Sequence, residues 1–172
     1  MNIVAATDGS ALSNPSGPAG WAWWVSPTCW AAGGFSQASN NVAELTAVAQ
    51  LLLATEHVPG LNLTVLCDSQ YVINSLTVWS AGWIRRNWMS SKGTPVANRE
   101  LIEPLVATLA TRDVKFVWVR GHDGHPLNEA ADRAATAVSA AIGQNVPFRS
   151  GPGWNVAATA STAQATANRW KL

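Results

Sequence analysis

The order of the apolar runs constrains this chain more than any other feature. Three strand-like runs come first, "NIVAAT" ending at Asp8-Gly9, then "GWAWWVS" and "CWAAGGFSQ" with hairpin-like connections, before any helical spacing appears. From Asn41 to about Thr55, Val42, Leu45, Val48 and Leu52 fall at helical spacing, closing at "HVPG". Strands and helices then alternate. "LNLTVLC" reads as a strand, "SQYVINSLTVW" as a helix, "NRELIEPLVATLAT" as a helix that Pro104 should bend, and "VKFVWV" as a strand. The closing helix is "HPLNEAADRAATAVSAAIG", with Pro126 in its first turn. Three strands followed by alternation predict an α/β fold, a mixed sheet covered by helices.

At 172 residues and 48% hydrophobic, the chain suits one domain that buries a core without staples. That domain is expected over 1–145, followed by a Thr-, Ala- and Ser-rich tail over 146–172. Cys29 and Cys67 both lie in apolar strand-like runs, so no disulfide framework is expected. There is neither a leader pattern nor a membrane-length apolar run, and a soluble, cytoplasmic chain is expected. The net charge of +1 gives no global attraction to nucleic acid, but its distribution does. Between Ser69 and Arg99 no acid occurs, whereas Arg85, Arg86, Lys92 and Arg99 do.

The first 99 residues hold only four acids, Asp8, Glu44, Glu56 and Asp68. Asp8 and Asp68 each end an apolar run, and Glu44 lies in the first turn of the helix between them. Ligand sites in open α/β sheets gather outside the carboxyl ends of the strands, so two strand-end aspartates would face one crevice. Carboxylates that close raise each other's pKa unless a cation neutralises them, and hard oxygen donors favour Mg²⁺ or Mn²⁺ over zinc. Each acid also has a plainer reading: Asp8-Gly9 as a turn, Asn41 to Glu44 as a capping box, Asp68 as a helix cap. Those readings do not explain why the acids converge on one end of the sheet.

The stretches "TDGS" with "NP", "NNVAEL", "CDSQYV", "GWIRRNW" and "WVRGHDGHPLNEAAD" together resemble type 1 ribonuclease H, in that family's order and spacing. The resemblance implies a ribonuclease H-like fold, a five-stranded mixed sheet with three antiparallel strands and then two parallel to the first. It implies Asp8, Glu44, Asp68 and Asp132 as metal-binding carboxylates for two Mg²⁺ ions, with Mn²⁺ able to substitute, and His122 as the catalytic loop histidine. It implies hydrolysis of the RNA strand of RNA–DNA hybrids with little sequence specificity, leaving 5′-phosphate and 3′-hydroxyl ends, by a monomer. Asn14, Asn41 and Gln70 would meet 2′-hydroxyls, Trp83 would line a DNA channel, and Ser39 and Asn98 would meet a DNA phosphate. Arg85 and Arg86 would form a basic ridge.

His122 and His125 lack further ligands at zinc-motif spacing, so His125 is read as structural, near the start of the last helix. Trp79 and Trp83, at i and i+4, also fit a buried helix face, and Trp118 fits strand core or strand surface. Two other functions share the acids: a different metal nuclease and a non-catalytic hybrid-binding module. A serine hydrolase is disfavoured, because no Gly-x-Ser-x-Gly occurs.

Overall fold

A computed structural model of the protein describes residues 1–155. Its strands are β1 (Asn2–Ala11), β2 (Gly17–Ser26), β3 (Cys29–Ala38), β4 (Asn62–Cys67) and β5 (Asp113–Trp118). Its helices are α1 (Asn40–Ala54), α2 (Gln70–Asn74), α3 (Ser80–Arg85), α4 (Arg99–Leu109) and α5 (Pro126–Gly143), with a π-helical turn, Ser75–Trp79, joining α2 to α3. The sheet order is β3-β2-β1-β4-β5. β1, β2 and β3 pair antiparallel, and β4 and β5 run parallel to β1. This is the expected five-stranded mixed sheet.

Helices cover both faces, so most residues of β1, β2 and β4 are buried whichever way they point. Trp23, 1% exposed, packs in the cluster that holds Leu45, Val48 and Leu51 of α1 and Ile102 and Leu105 of α4. On the other face Ala22, Trp30 and Ala32 meet Ala135 and Val138 of α5, and Trp24 stacks on Trp30 at 4.8 Å.

Several local expectations change. β1 does not end at Asp8 but runs on to Ala11, because pairing with β2 continues to Ala11↔Ala19 after pairing with β4 has stopped at Ala6↔Leu66. Asp8 therefore stands where β1 loses its parallel neighbour. The helix caps are Ser39 and Ser69, which accept the Val42 and Val72 N–H groups at 3.2 Å each, rather than Asn41 and Asp68. The "SQYVINSLTVW" helix widens into its π turn where Thr77 and Ser80 bond back to the carbonyls of Ile73 and Leu76.

Packing also extends past the expected boundary at 145. The Ala32 N–H donates to Ser150 O and the Gly153 N–H to Trp30 O, each at 3.0 Å, and Trp154 packs on Trp23 with ring centroids 6.2 Å apart. The rest of the expected tail, 156–172, lies outside the described residues.

Candidate active site

Three elements deliver three acids to one point. Asp8 comes from β1, Asp68 follows the last residue of β4, and Glu44 lies in α1. One carboxylate oxygen from each lies within 4.8 Å of the others. The approach depends on glycine. A Cβ on Gly9 would stand 2.9 Å from the Ala43 Cβ and closer still to the backbone of Ala43 and Glu44, so α1 settles against β1 only because nothing intervenes. A Cβ on Gly121 would lie 2.8 Å from Asp68 Oδ2, so the segment leaving β5 can pass directly over that carboxylate.

The interior opposes this charge. Asp8 is 6% exposed, and burial together with Asp68, Asp132 and Glu44 lifts its pKa to about 8, against a lowering hydrogen bond from the Gly9 N–H at 2.7 Å. Burial, then Asp68, lifts Glu44 to about 7, while a hydrogen bond from Ser69 pulls the other way. Ser69 thus caps α2 and touches Glu44. Among the described residues no Lys or Arg pairs with Asp8, Glu44 or Asp68. An all-oxygen, uncompensated trio fits a hard divalent cation, whose binding would reverse the upward shifts.

Asp132 approaches from α5 on the opposite face. It is not one of the trio within 4.8 Å, but its charge reaches Asp8. Its Oδ2 lies 3.8 Å from Nδ1 of His122, and its Oδ1 accepts from the Thr136 hydroxyl at 3.4 Å. His122 sits on the turn before α5 at φ +58°, its side chain 81% exposed.

The family model for RNase H matches residues 1–140. The chain belongs to the RNase H family. Over 152 residues it is 47% identical to a ribonuclease H of Tropheryma whipplei, covering 88% of this chain and 93% of that one. Among solved structures, LC9-RNase H1, described as a type 1 RNase H with the type 2 active-site motif, superposes with a TM-score of 0.68 at 22% identity, covering 98% of this chain and 85% of that one. A foamy viral protease-reverse transcriptase in complex with RNA/DNA hybrid gives 0.63 at 21% identity, covering 80% of this chain and 20% of that one. The likeness to the two structures is one of fold.

The residues expected from the sequence to contact substrate fall into two groups in the structure. In the first, the Asn14 carboxamide oxygen accepts the Asn40 N–H at 3.1 Å and that of Asn40 accepts the Ala11 N–H at 2.6 Å, which ties the β1–β2 turn to the start of α1, beside Ser39 and Asn41. Gln70 is exposed at the first position of α2, two residues past Asp68. The Ser39 oxygen is engaged as a cap acceptor, which leaves its proton available to donate.

The second group is aromatic and basic. Tyr71, Trp79, Trp83 and Trp88 form a chain of ring contacts 5.9–6.3 Å apart, with the Arg99 guanidinium 5.5 Å from the Trp88 ring centroid. Trp83 is half-buried within it and packs against the core cluster. Asn98 adopts a left-handed conformation, φ +59°, and donates to the Tyr71 hydroxyl at 2.9 Å. Arg85 is exposed, whereas Arg86 turns back to donate from Nε to Met89 O at 3.1 Å.

Sequence reasoning gave no site role to Ser69, Gly9 or Trp118. The Trp118 indole N–H donates to the Asp68 backbone carbonyl at 3.1 Å, a contact set by strand register and invisible in the spacing of residues along the chain.

Proposed function

We propose that this chain hydrolyses the RNA strand of RNA–DNA hybrids at Asp8, Glu44, Asp68 and Asp132, leaving 5′-phosphate and 3′-hydroxyl ends. The observation that carries the reading is the trio of carboxylates, Asp8 buried and Glu44 and Asp68 half-buried, held within 4.8 Å of one another without a basic partner among the described residues, an arrangement that a divalent cation would relieve. These four carboxylates would hold two Mg²⁺ ions, with Mn²⁺ as a substitute, which would supply the Lewis acidity that phosphodiester hydrolysis needs near neutral pH. Asp8, the most buried, is fixed by the Gly9 N–H, and Asp68 is fixed by the strand end below it and Gly121 above. His122, exposed and within reach of Asp132, accepts or delivers a proton at the rim, where its side chain can swing toward solvent.

Discrimination of the RNA strand falls to small polar groups, since the 2′-hydroxyl both donates and accepts and lies in a wide minor groove. Asn14, Asn41 and Gln70 supply such groups, Ser39 and Asn98 meet the DNA phosphates, and Trp83 with Arg85 and Arg86 faces the DNA strand. Contacts of this kind read backbone rather than bases, so sequence specificity is low. A structural relative solved with an RNA/DNA hybrid bound agrees with that choice of ligand. No helix among the described residues is long and apolar enough to cross a membrane. A cytoplasmic location and a monomer are further parts of the proposal. The test is cleavage of labelled RNA–DNA hybrid, duplex RNA and duplex DNA in parallel, with and without Mg²⁺. Hybrid alone should be cut, and only with the metal. Cleavage of duplex DNA at a comparable rate would support a different metal nuclease, and binding without cleavage would support a hybrid-binding module.

A further inference from the structure

We propose that Trp118, together with Gln70 and Asn74, forms a subsite for one ribose of the RNA strand, displaced along that strand from the nucleotide being cut; the inference rests on the hybrid-cleavage reading. The argument starts from strand register. β5 pairs parallel with β4 so that Trp118 stands opposite Cys67, the residue before Asp68. Two hydrogen bonds hold the strand end there: the Val119 N–H to Cys67 O and the Trp118 indole N–H to Asp68 O, each at 3.1 Å. The indole has thus spent its only polar group on the backbone of an active-site residue. Its apolar ring remains 50% exposed and fixed in orientation, an arrangement that hydrophobic burial alone does not account for.

Across from this ring stands one face of α2. Gln70, Ile73 and Asn74, at i, i+3 and i+4, bound a cavity of about 380 Å³ whose remaining wall is Trp118. The lining is one aromatic ring, one aliphatic side chain and two amides. With no charge it is a poor phosphate site, but it matches the edge of a sugar: C–H groups against the indole, and a hydroxyl that donates to and accepts from carboxamides. A hybrid in its A-like form displays 2′-hydroxyls in a wide, shallow minor groove, where a fixed wall of this size can meet a ribose without opening the duplex. Because Gln70 follows Asp68 by two residues and Trp118 bonds to the Asp68 carbonyl, the subsite adjoins the reaction centre and lies outside the acidic trio. Trp118 therefore has two effects, packing against the sugar and positioning Asp68.

The experiment uses the full chain and short hybrids cut at one site, identical except for a single 2′-O-methyl nucleotide moved stepwise along the RNA strand. In the wild-type chain one position away from the cut should raise KM about 5- to 20-fold with a smaller change in kcat, in keeping with base or sugar contacts on an aromatic wall. In Trp118→Ala and in Asn74→Ala the KM of the unmodified hybrid should rise about 3- to 10-fold, and the penalty at that position should disappear. Trp118→Phe keeps the wall and loses the N–H, so the positional penalty should survive while kcat falls. Unchanged KM and an unchanged positional profile in both Trp118→Ala and Asn74→Ala, in variants that still cut hybrid, would overturn the subsite alone. A wild-type chain that cuts no hybrid would overturn the hybrid-cleavage reading and this inference with it.

Discussion

At the ends of β1 and β4 the chain gathers three carboxylates, one buried and two half-buried, and lifts two of their pKa values, whereas between Ser75 and Arg99 it leaves its arginines and Lys92 in water and packs its tryptophans against one another. Both regions are candidates for touching the same substrate. They differ in what the fold gives up for them. The acidic trio works against folding and is held in place by close backbone contact at Gly9 and Gly121. The aromatic and basic segment is held by its own ring contacts, and its charges cost almost nothing where they stand. On the proposed function, chemistry would be placed where close backbone contact holds the acids together, and affinity where the charges stand exposed.

The comparison breaks first at Asp8. Asp8→Asn or Asp68→Asn should lower cleavage by more than about 1,000-fold, because an amide cannot replace an anionic ligand. If both variants keep over about a tenth of the wild-type rate at saturating Mg²⁺, the acidic trio is not the reaction centre.

The same substitution also tests the claimed strain. The folded pKa of Asp8, about 8, lies above that of an unfolded aspartate. Protonation therefore favours the fold, and the metal-free protein should lose stability as pH rises from about 4 toward about 8, then level off. Asp8→Asn should remove that loss. At pH 8 without metal the variant should melt about 3–8 °C above wild type, with the gap shrinking toward pH 5. A variant that melts lower at pH 8 would show that the trio is not strained.

His122 lies between the two regimes, exposed yet 3.8 Å from Asp132. His122→Ala should lower kcat about 10- to 1,000-fold with little change in KM, and His125→Ala should do less. Equal losses would mean that the loop acts as one structural unit.

Truncation provides a control that should leave both regions intact. Deleting 146–172 removes Trp154 from Trp23 and should cost about 2 kcal/mol, or about 4–8 °C, in melting temperature. Cleavage measured well below the melting point should stay within a few-fold of wild type. Loss of activity without loss of stability would place part of the segment after 145 in the site.

The smallest effect belongs to the basic segment. Arg85→Ala with Arg86→Ala should raise KM a few-fold and flatten the dependence of log affinity on log salt by up to about two units. Because Arg86 already bonds to Met89 O, Arg85→Ala alone should account for more than half of that change. An unchanged salt slope would show that both guanidiniums point away from the substrate.

The order of the strands and the meeting of Asp8, Glu44 and Asp68 were legible because each is carried by a contiguous motif or by periodicity. The misreadings have a common physical source, in that they concern contacts between elements. "TDGSA" is too polar to look like a strand, and only pairing with β2 keeps it extended. Asn41 and Asp68 are as good at capping as Ser39 and Ser69, so one or two residues of uncertainty in a helix start changed the cap. The stretch 146–155 has the composition of a tail, yet backbone hydrogen bonds and a single tryptophan place it in the fold.

That last segment bears on how the molecule behaves at high concentration. An open sheet has two edges, each a row of unpaired amides and carbonyls able to accept a strand from another molecule. On the outer side the β5 edge is only six residues long and carries exposed Asp113 and Lys115, a combination that discourages strand addition. β3 is ten residues long and its first half, from Cys29, is the apolar one; Ser150 and Gly153 occupy its hydrogen-bonding groups at Trp30 and Ala32. A chain cut short before Ser150 would keep its acids, its tryptophan ladder and its loop, and would expose a sticky edge along which copies could polymerise.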